Sequence, residues 1–124
     1  MKRVLLVEDD AVSARVMSDF LSAHGYDAIV ARTGVEGVDA FMRELPDLAV
    51  VDVQLPRKNG FEVCFEMKRT EHGRRTPVLL MSAVYTDTEH AERYSSDLRA
   101  AGYLVKPFEM DVLLERVREL IGQA

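Results

Sequence analysis

The chain is short of the residues that usually announce a specialised site. Its single cysteine, Cys64, excludes an internal disulfide, and its spacing from Phe61 and Met67 is that of a buried small apolar residue on a helix. The histidines His24, His72 and His90 share no metal-ligand spacing and read as surface residues. No apolar stretch approaches the ~18 residues of a membrane span, and no signal-peptide pattern is present, so a soluble, cytoplasmic protein without a membrane partner is expected. A basic stripe is also missing. The net charge is −5, and the basic residues are scattered singly or as the pair Arg74-Arg75, which argues against direct contact with nucleic acid. Internal repeats and low-complexity segments are absent, and 124 residues with 48% apolar content suit one compact domain spanning residues 1–124.

What the chain does have is a series of short apolar runs that end in chemistry. Val4-Leu5-Leu6-Val7 runs into Glu8-Asp9-Asp10, and Leu48-Ala49-Val50-Val51 runs into Asp52. Val78-Leu79-Leu80-Met81 ends at Ser82, and Tyr103-Leu104-Val105 ends at Lys106-Pro107. Continuous apolar runs of this length read as strands buried on both faces, hence a parallel sheet, and parallel strands present their C-terminal ends on one edge. Acid cluster, aspartate, hydroxyl and lysine should therefore meet on one rim. Two carboxylates about 4 Å apart cost each other on the order of 4 kcal/mol at an effective dielectric of 20. The rim should destabilise the protein, with Lys106 offsetting only part of the repulsion.

Helical patterns alternate with these strands. Val12, Val16, Met17, Phe20 and Leu21 recur at helical period after Asp10, the expected N-cap, and before Gly25, the expected stop. A short strand from Asp27 to Ala31 leads to Thr33 and Glu36, a capping box, followed by Val35, Val38, Phe41, Met42 and Leu45 before Pro46. Gly34 and Gly37 lack the full glycine pattern of a phosphate loop and read as the start of this helix. A third helix runs from Gly60 to about Arg69, and the polar stretch from Thr70 to Thr76 reads as a turn. A fourth helix, over roughly residues 87–101, has few apolar anchors in Ala91, Tyr94, Leu98 and Ala101 and should be loosely held. A fifth, from about Glu109 to Ile121, turns Val112, Leu113, Val117, Leu120 and Ile121 inward. Five βα units with right-handed crossovers give an open sheet covered on both faces, with its site at the strand C-termini.

Four motifs in order resemble the receiver domain of two-component response regulators. They are Val7-Glu8-Asp9-Asp10, Asp52-Val53-Gln54-Leu55-Pro56 followed by Asn59-Gly60, Pro77 through Ser82-Ala83, and Tyr103-Leu104-Val105-Lys106-Pro107-Phe108. The resemblance runs the length of the chain. It implies a flavodoxin-like, doubly wound (βα)5 three-layer sandwich, with a parallel five-stranded sheet in the order 2-1-3-4-5. By the same resemblance Asp52 is the phosphoacceptor, a carboxylate nucleophile forming an acyl phosphate with the help of Lys106 and Ser82. Mg²⁺ is the implied cofactor, bound by Asp9, Asp52 and the backbone carbonyl of Gln54, with Glu8 acting through a water. Asp10 is better read as the N-cap than as a ligand. Tyr103 resembles the switch aromatic, and the peptide before Pro107 resembles the cis bond that aims the lysine.

The implied partners are a histidine kinase or phosphotransfer protein as donor and a downstream protein or effector domain of unknown kind. The output surface, and any homodimer, would use the fourth helix, fifth strand and fifth helix. Such a domain promotes its own phosphorylation and slow dephosphorylation without being a turnover enzyme. The chain reads either as a stand-alone receiver or as the front of a longer regulator. Gln54 and Val84 lie where receivers vary, and Leu98-Arg99-Ala100-Ala101-Gly102 departs from the common pattern, as does the slightly long stretch between Ser82 and Lys106. A haloacid-dehalogenase-type phosphatase would need a general acid where Gln54 stands. A flavodoxin-type FMN phosphate would be repelled by the acids after strand one. The remaining rival is a pseudo-receiver that binds partners without being phosphorylated.

Overall fold

The computed structural model describes residues 1–83 and 99–124. The elements are β1 (Arg3–Val7), α1 (Ala11–Ala23), β2 (Asp27–Ala31), α2 (Gly34–Glu44), β3 (Leu48–Asp52), α3 (Gly60–Lys68), α4 (Glu71–Arg75), β4 (Val78–Ser82), β5 (Gly102–Val105) and α5 (Met110–Ile121). All strand pairings are parallel, in a five-stranded sheet of order β2-β1-β3-β4-β5. Most of the fourth expected helix, with Ala91, Tyr94 and Leu98, lies outside the described residues, as do Val84 and His90.

The apolar runs become strands because the sheet is covered on both faces. Leu5, Val7, Ala49, Val51 and Leu80 belong to one core cluster with Phe41 of α2 and Val63, Cys64 and Met67 of α3. Val4, Leu6, Leu48, Val50, Leu79 and Met81 belong to a second with Met17 and Leu21 of α1 and Leu113, Leu114 and Val117 of α5. Alternate side chains of one strand thus feed opposite layers. Each fully buried Leu stabilises the fold by roughly 1.5–3 kcal/mol. Cys64 is among these buried residues, and burial pushes its thiol up to about 11.

Local signals set the helix ends. Asp10 caps α1 by accepting from Ser13 N–H at 2.9 Å, and Gly25 follows the helix with φ +91°. Thr33 accepts from Glu36 N–H at 3.1 Å, but the Glu36 carboxylate reaches the Arg32 N–H at 3.0 Å, one residue before the N-cap. The full capping box belongs to α3, where the Asn59 side chain accepts from Glu62 N–H and the Glu62 carboxylate accepts from Asn59 N–H.

Several sequence expectations fail. The stretch after α3 is not a plain turn: Glu71–Arg75 forms a further helical turn capped by Thr70, which accepts from Gly73 N–H at 2.9 Å. His72 is not a free surface residue either. It is half-buried, its ring lies 5.4 Å from that of Phe41, and its Nε2 is 2.7 Å from the Pro46 carbonyl. Val12, Val16, Val35, Met42, Leu45 and Val112 match the helical period yet are exposed. α1, α2 and α5 each lie against one sheet face, so only the central stripe of a wide apolar arc is covered.

Candidate functional site

The strand register brings the chemistry to one edge. Val7 of β1 lies beside Val51 of β3, so Glu8 and Asp52 follow one another around the C-terminal rim, and Ser82 of β4 pairs with Val105 of β5. The backbone carries the pairing past the strand ends: Glu8 N–H donates to the Ala31 carbonyl at 3.0 Å, Val53 N–H to Met81 at 2.8 Å and Lys106 N–H to Ser82 at 2.9 Å. Rigid backbone, and not flexible side chains, therefore places the site.

Carboxylate oxygens of Glu8, Asp9 and Asp52 all lie within 4.8 Å of one another. Glu8 and Ser82 are fully buried and Asp52 is 5% exposed, whereas Asp9 is exposed. Asp52 Oδ1 accepts from Gln54 N–H at 2.9 Å, and Asp52 Oδ2 accepts from Lys106 Nζ at 3.2 Å. The same ammonium donates to Glu8 Oε1. The Lys106–Pro107 peptide is cis. Tyr103 is half-buried and packs against the core cluster on the α2 and α3 side. Asp10 stands apart from the cluster: its side chain caps α1, and the hydrogen bonds from Ser13 hold its carboxyl below the usual carboxylate range.

Glu8 bears the electrostatic cost of this crowding. Burial raises its carboxyl from 4.5 to about 7, and hydrogen bonding and charge from Asp52 add to the rise against the opposing pull of Lys106. Burial works against the Lys106 ammonium, but the hydrogen bond to Glu8 and the charges of Asp52 and Glu8 outweigh it and raise its pKa. Three clustered acids facing one lysine leave excess negative charge, and oxygen donors on buried backbone suit a hard divalent cation. The donor set thus fits Mg²⁺.

The loop after β3 returns close to Asp52 because residue 60 is glycine. Gly60 N–H donates to the Val53 carbonyl at 2.9 Å, and a Cβ on residue 60 would lie 2.3 Å from the Asp52 carbonyl oxygen. The sequence marks Gly60 as the start of a helix and as part of a motif, without showing this close approach. It assigns no role to Arg32, whose Nη2 donates to the Asp9 carbonyl at 2.6 Å. The one signal for Arg32 is its position one residue beyond the end of β2, on the same rim.

The model of the response regulator receiver domain matches residues 4–118, and the chain belongs to this family. The DNA-binding dual master transcriptional regulator RpaA of Synechocystis sp. is 34% identical over 98% of the chain, and the chain spans about half the length of this and other curated relatives. The chemotaxis protein CheY4 of Vibrio cholerae superposes with a TM-score of 0.89 at 26% identity, covering 97% of this chain and 98% of that one. The receiver domain of the Pseudomonas aeruginosa sensor histidine kinase PA1611, whose structure has a magnesium ion coordinated in the active site cleft, has a TM-score of 0.87 at 27% identity, with 98% of each chain covered. The fold is therefore that of a CheY-like, flavodoxin-like receiver. Among the described residues, no helix is long and apolar enough to cross a membrane.

Proposed function

We propose that residues 1–124 form one cytoplasmic receiver domain that accepts a phosphoryl group on Asp52 and relays it as a conformational change. The observation that carries this reading is the junction of Asp52 with Lys106, Glu8 and Asp9 on a single rim. Asp52 is the nucleophile: one carboxylate oxygen forms the bond to phosphorus as the phosphorus–nitrogen bond of a phosphohistidine donor breaks, and the leaving imidazole keeps the electron pair and takes up a proton. The donor is a histidine kinase or phosphotransfer protein. A bound Mg²⁺ would supply charge neutralisation for the phosphoryl group, held by Asp9, Asp52 and the Gln54 backbone carbonyl directly and by Glu8 through a water.

Lys106, already beside Asp52, donates a charge-assisted hydrogen bond to the transferred group. Ser82 offers its hydroxyl from the neighbouring strand end, and Tyr103 reports the change to the surface of β5 and α5. That surface serves the downstream partner. The domain turns over no substrate beyond its own acyl phosphate.

Intact-mass analysis after incubation with acetyl phosphate and Mg²⁺ should show one phosphate adduct on wild type and none on Asp52→Asn. Absence of the adduct on wild type, while another receiver labels in parallel, would leave a partner-binding pseudo-receiver as the correct reading.

A further inference from the structure

Asp9 differs from the other two acids of the cluster. Glu8 and Asp52 are buried and share Lys106, while the Asp9 carboxylate is exposed and has no hydrogen bond or ion pair among the described residues. It lies within 4.8 Å of the others with no side-chain bond to hold it there. The Asp9–Asp10 peptide is held at both ends: its carbonyl accepts from Arg32 Nη2 at 2.6 Å, and its N–H donates to Glu8 Oε2 at 3.4 Å.

Arg32 is itself fixed where β2 leaves the sheet. Its N–H donates to the Glu36 carboxylate at 3.0 Å, and the carbonyl of Ala31 before it accepts from Glu8 N–H at 3.0 Å. Although it reaches the backbone of one acid of the cluster, its guanidinium forms no ion pair among the described residues and donates to a carbonyl. A charge-assisted bond of this length restrains the peptide more firmly than a neutral one.

We propose that Arg32 is a positioning residue of the divalent-cation site: its guanidinium locks the Asp9–Asp10 peptide and thereby aims the Asp9 carboxylate at the space shared with Glu8 and Asp52. This rests on the receiver reading above. The electrostatic alternative has the opposite sign, because a cation near a metal site repels the metal, so Arg32 acting as charge alone would weaken binding and its removal would tighten it.

Calorimetric titration of the whole chain with Mg²⁺ separates the two. Outer partners that orient metal ligands are worth 10–100-fold in affinity, and for an exposed one Arg32→Ala should weaken Mg²⁺ binding by about tenfold. Arg32→Lys, which keeps the charge and a donor, should recover most of the loss, and both variants should melt in EDTA at the wild-type midpoint. Mg²⁺ binding by Arg32→Ala as tight as wild type or tighter overturns the proposal, as does equal weakness in both variants or a matching fall in their melting midpoints. Wild type that binds no Mg²⁺ overturns the receiver reading as well, whereas wild-type binding with an unaffected Arg32→Ala removes only the role of Arg32.

Discussion

Replacing Glu8 with Gln should flatten the pH dependence of stability in the metal-free protein. Glu8 is fully buried, and its carboxyl is raised from 4.5 to about 7, with burial the main cause. A raised acid means that the folded state binds more protons than the unfolded state between these values. Its contribution is therefore fully present below pH 4.5 and is lost as pH rises through about 7. At roughly 1.4 kcal/mol per pH unit, wild type should lose on the order of 3 kcal/mol from this group between pH 4.5 and 8. The amide of Gln keeps the shape and does not titrate. Lys106 then loses one of its two anions, but its contact with Asp52 at 3.2 Å survives, and with its side chain 21% exposed the ammonium can turn toward water. The attraction of Lys106 already lies within the raised Glu8 value, so Glu8→Gln should be more stable than wild type by on the order of 3 kcal/mol at pH 8. Urea melts in EDTA at pH 5, 6, 7 and 8 provide the measurement. Parallel stability curves for the two proteins would refute the reasoning, since they would mean that Lys106 keeps Glu8 ionised throughout. Saturating Mg²⁺ should flatten the wild-type curve too, because a cation beside Glu8 favours its ionised form.

Gly60→Ala should destabilise the protein by about 1–3 kcal/mol, because the added Cβ meets only backbone atoms of Asp52 and Val53, which cannot rotate away; urea melts measure the loss, and an unchanged midpoint would show that the loop relaxes freely. Beryllofluoride with Mg²⁺ should alter amide exchange around Tyr103, Phe108 and α5, and changes confined to α1 and α2 would mean that the output face is misassigned.

Much of the rim is legible in the amino-acid sequence, because each functional group follows a continuous apolar run. The runs of β1, β3 and β4 are buried on both faces and so apolar throughout, and Glu8, Asp52 and Ser82 stand out as the first polar residues after Val7, Val51 and Met81; Lys106 likewise ends a run, although its edge strand β5 leaves Val105 exposed. The parallel rule then places them on one edge without any knowledge of which strands are neighbours. Caps are legible for the same local reason, as at Asp10, where the bond spans three residues. Helix faces are less so. Val12 and Val35 fit the helical period, but their exposure depends on how far each helix surface is overlapped by the sheet, which no local pattern encodes. His72 meets Pro46 across 26 residues, and Arg32 meets Asp9 across 23, so neither pairing has a short-range signature. Tertiary structure alone also decides which acid bears the burden of the cluster. Sequence places Glu8, Asp9 and Asp52 together, but only the packing buries Glu8 fully beside Asp52 and Lys106 while leaving Asp9 in water, and desolvation, with Asp52 adding to it, raises the pKa of Glu8.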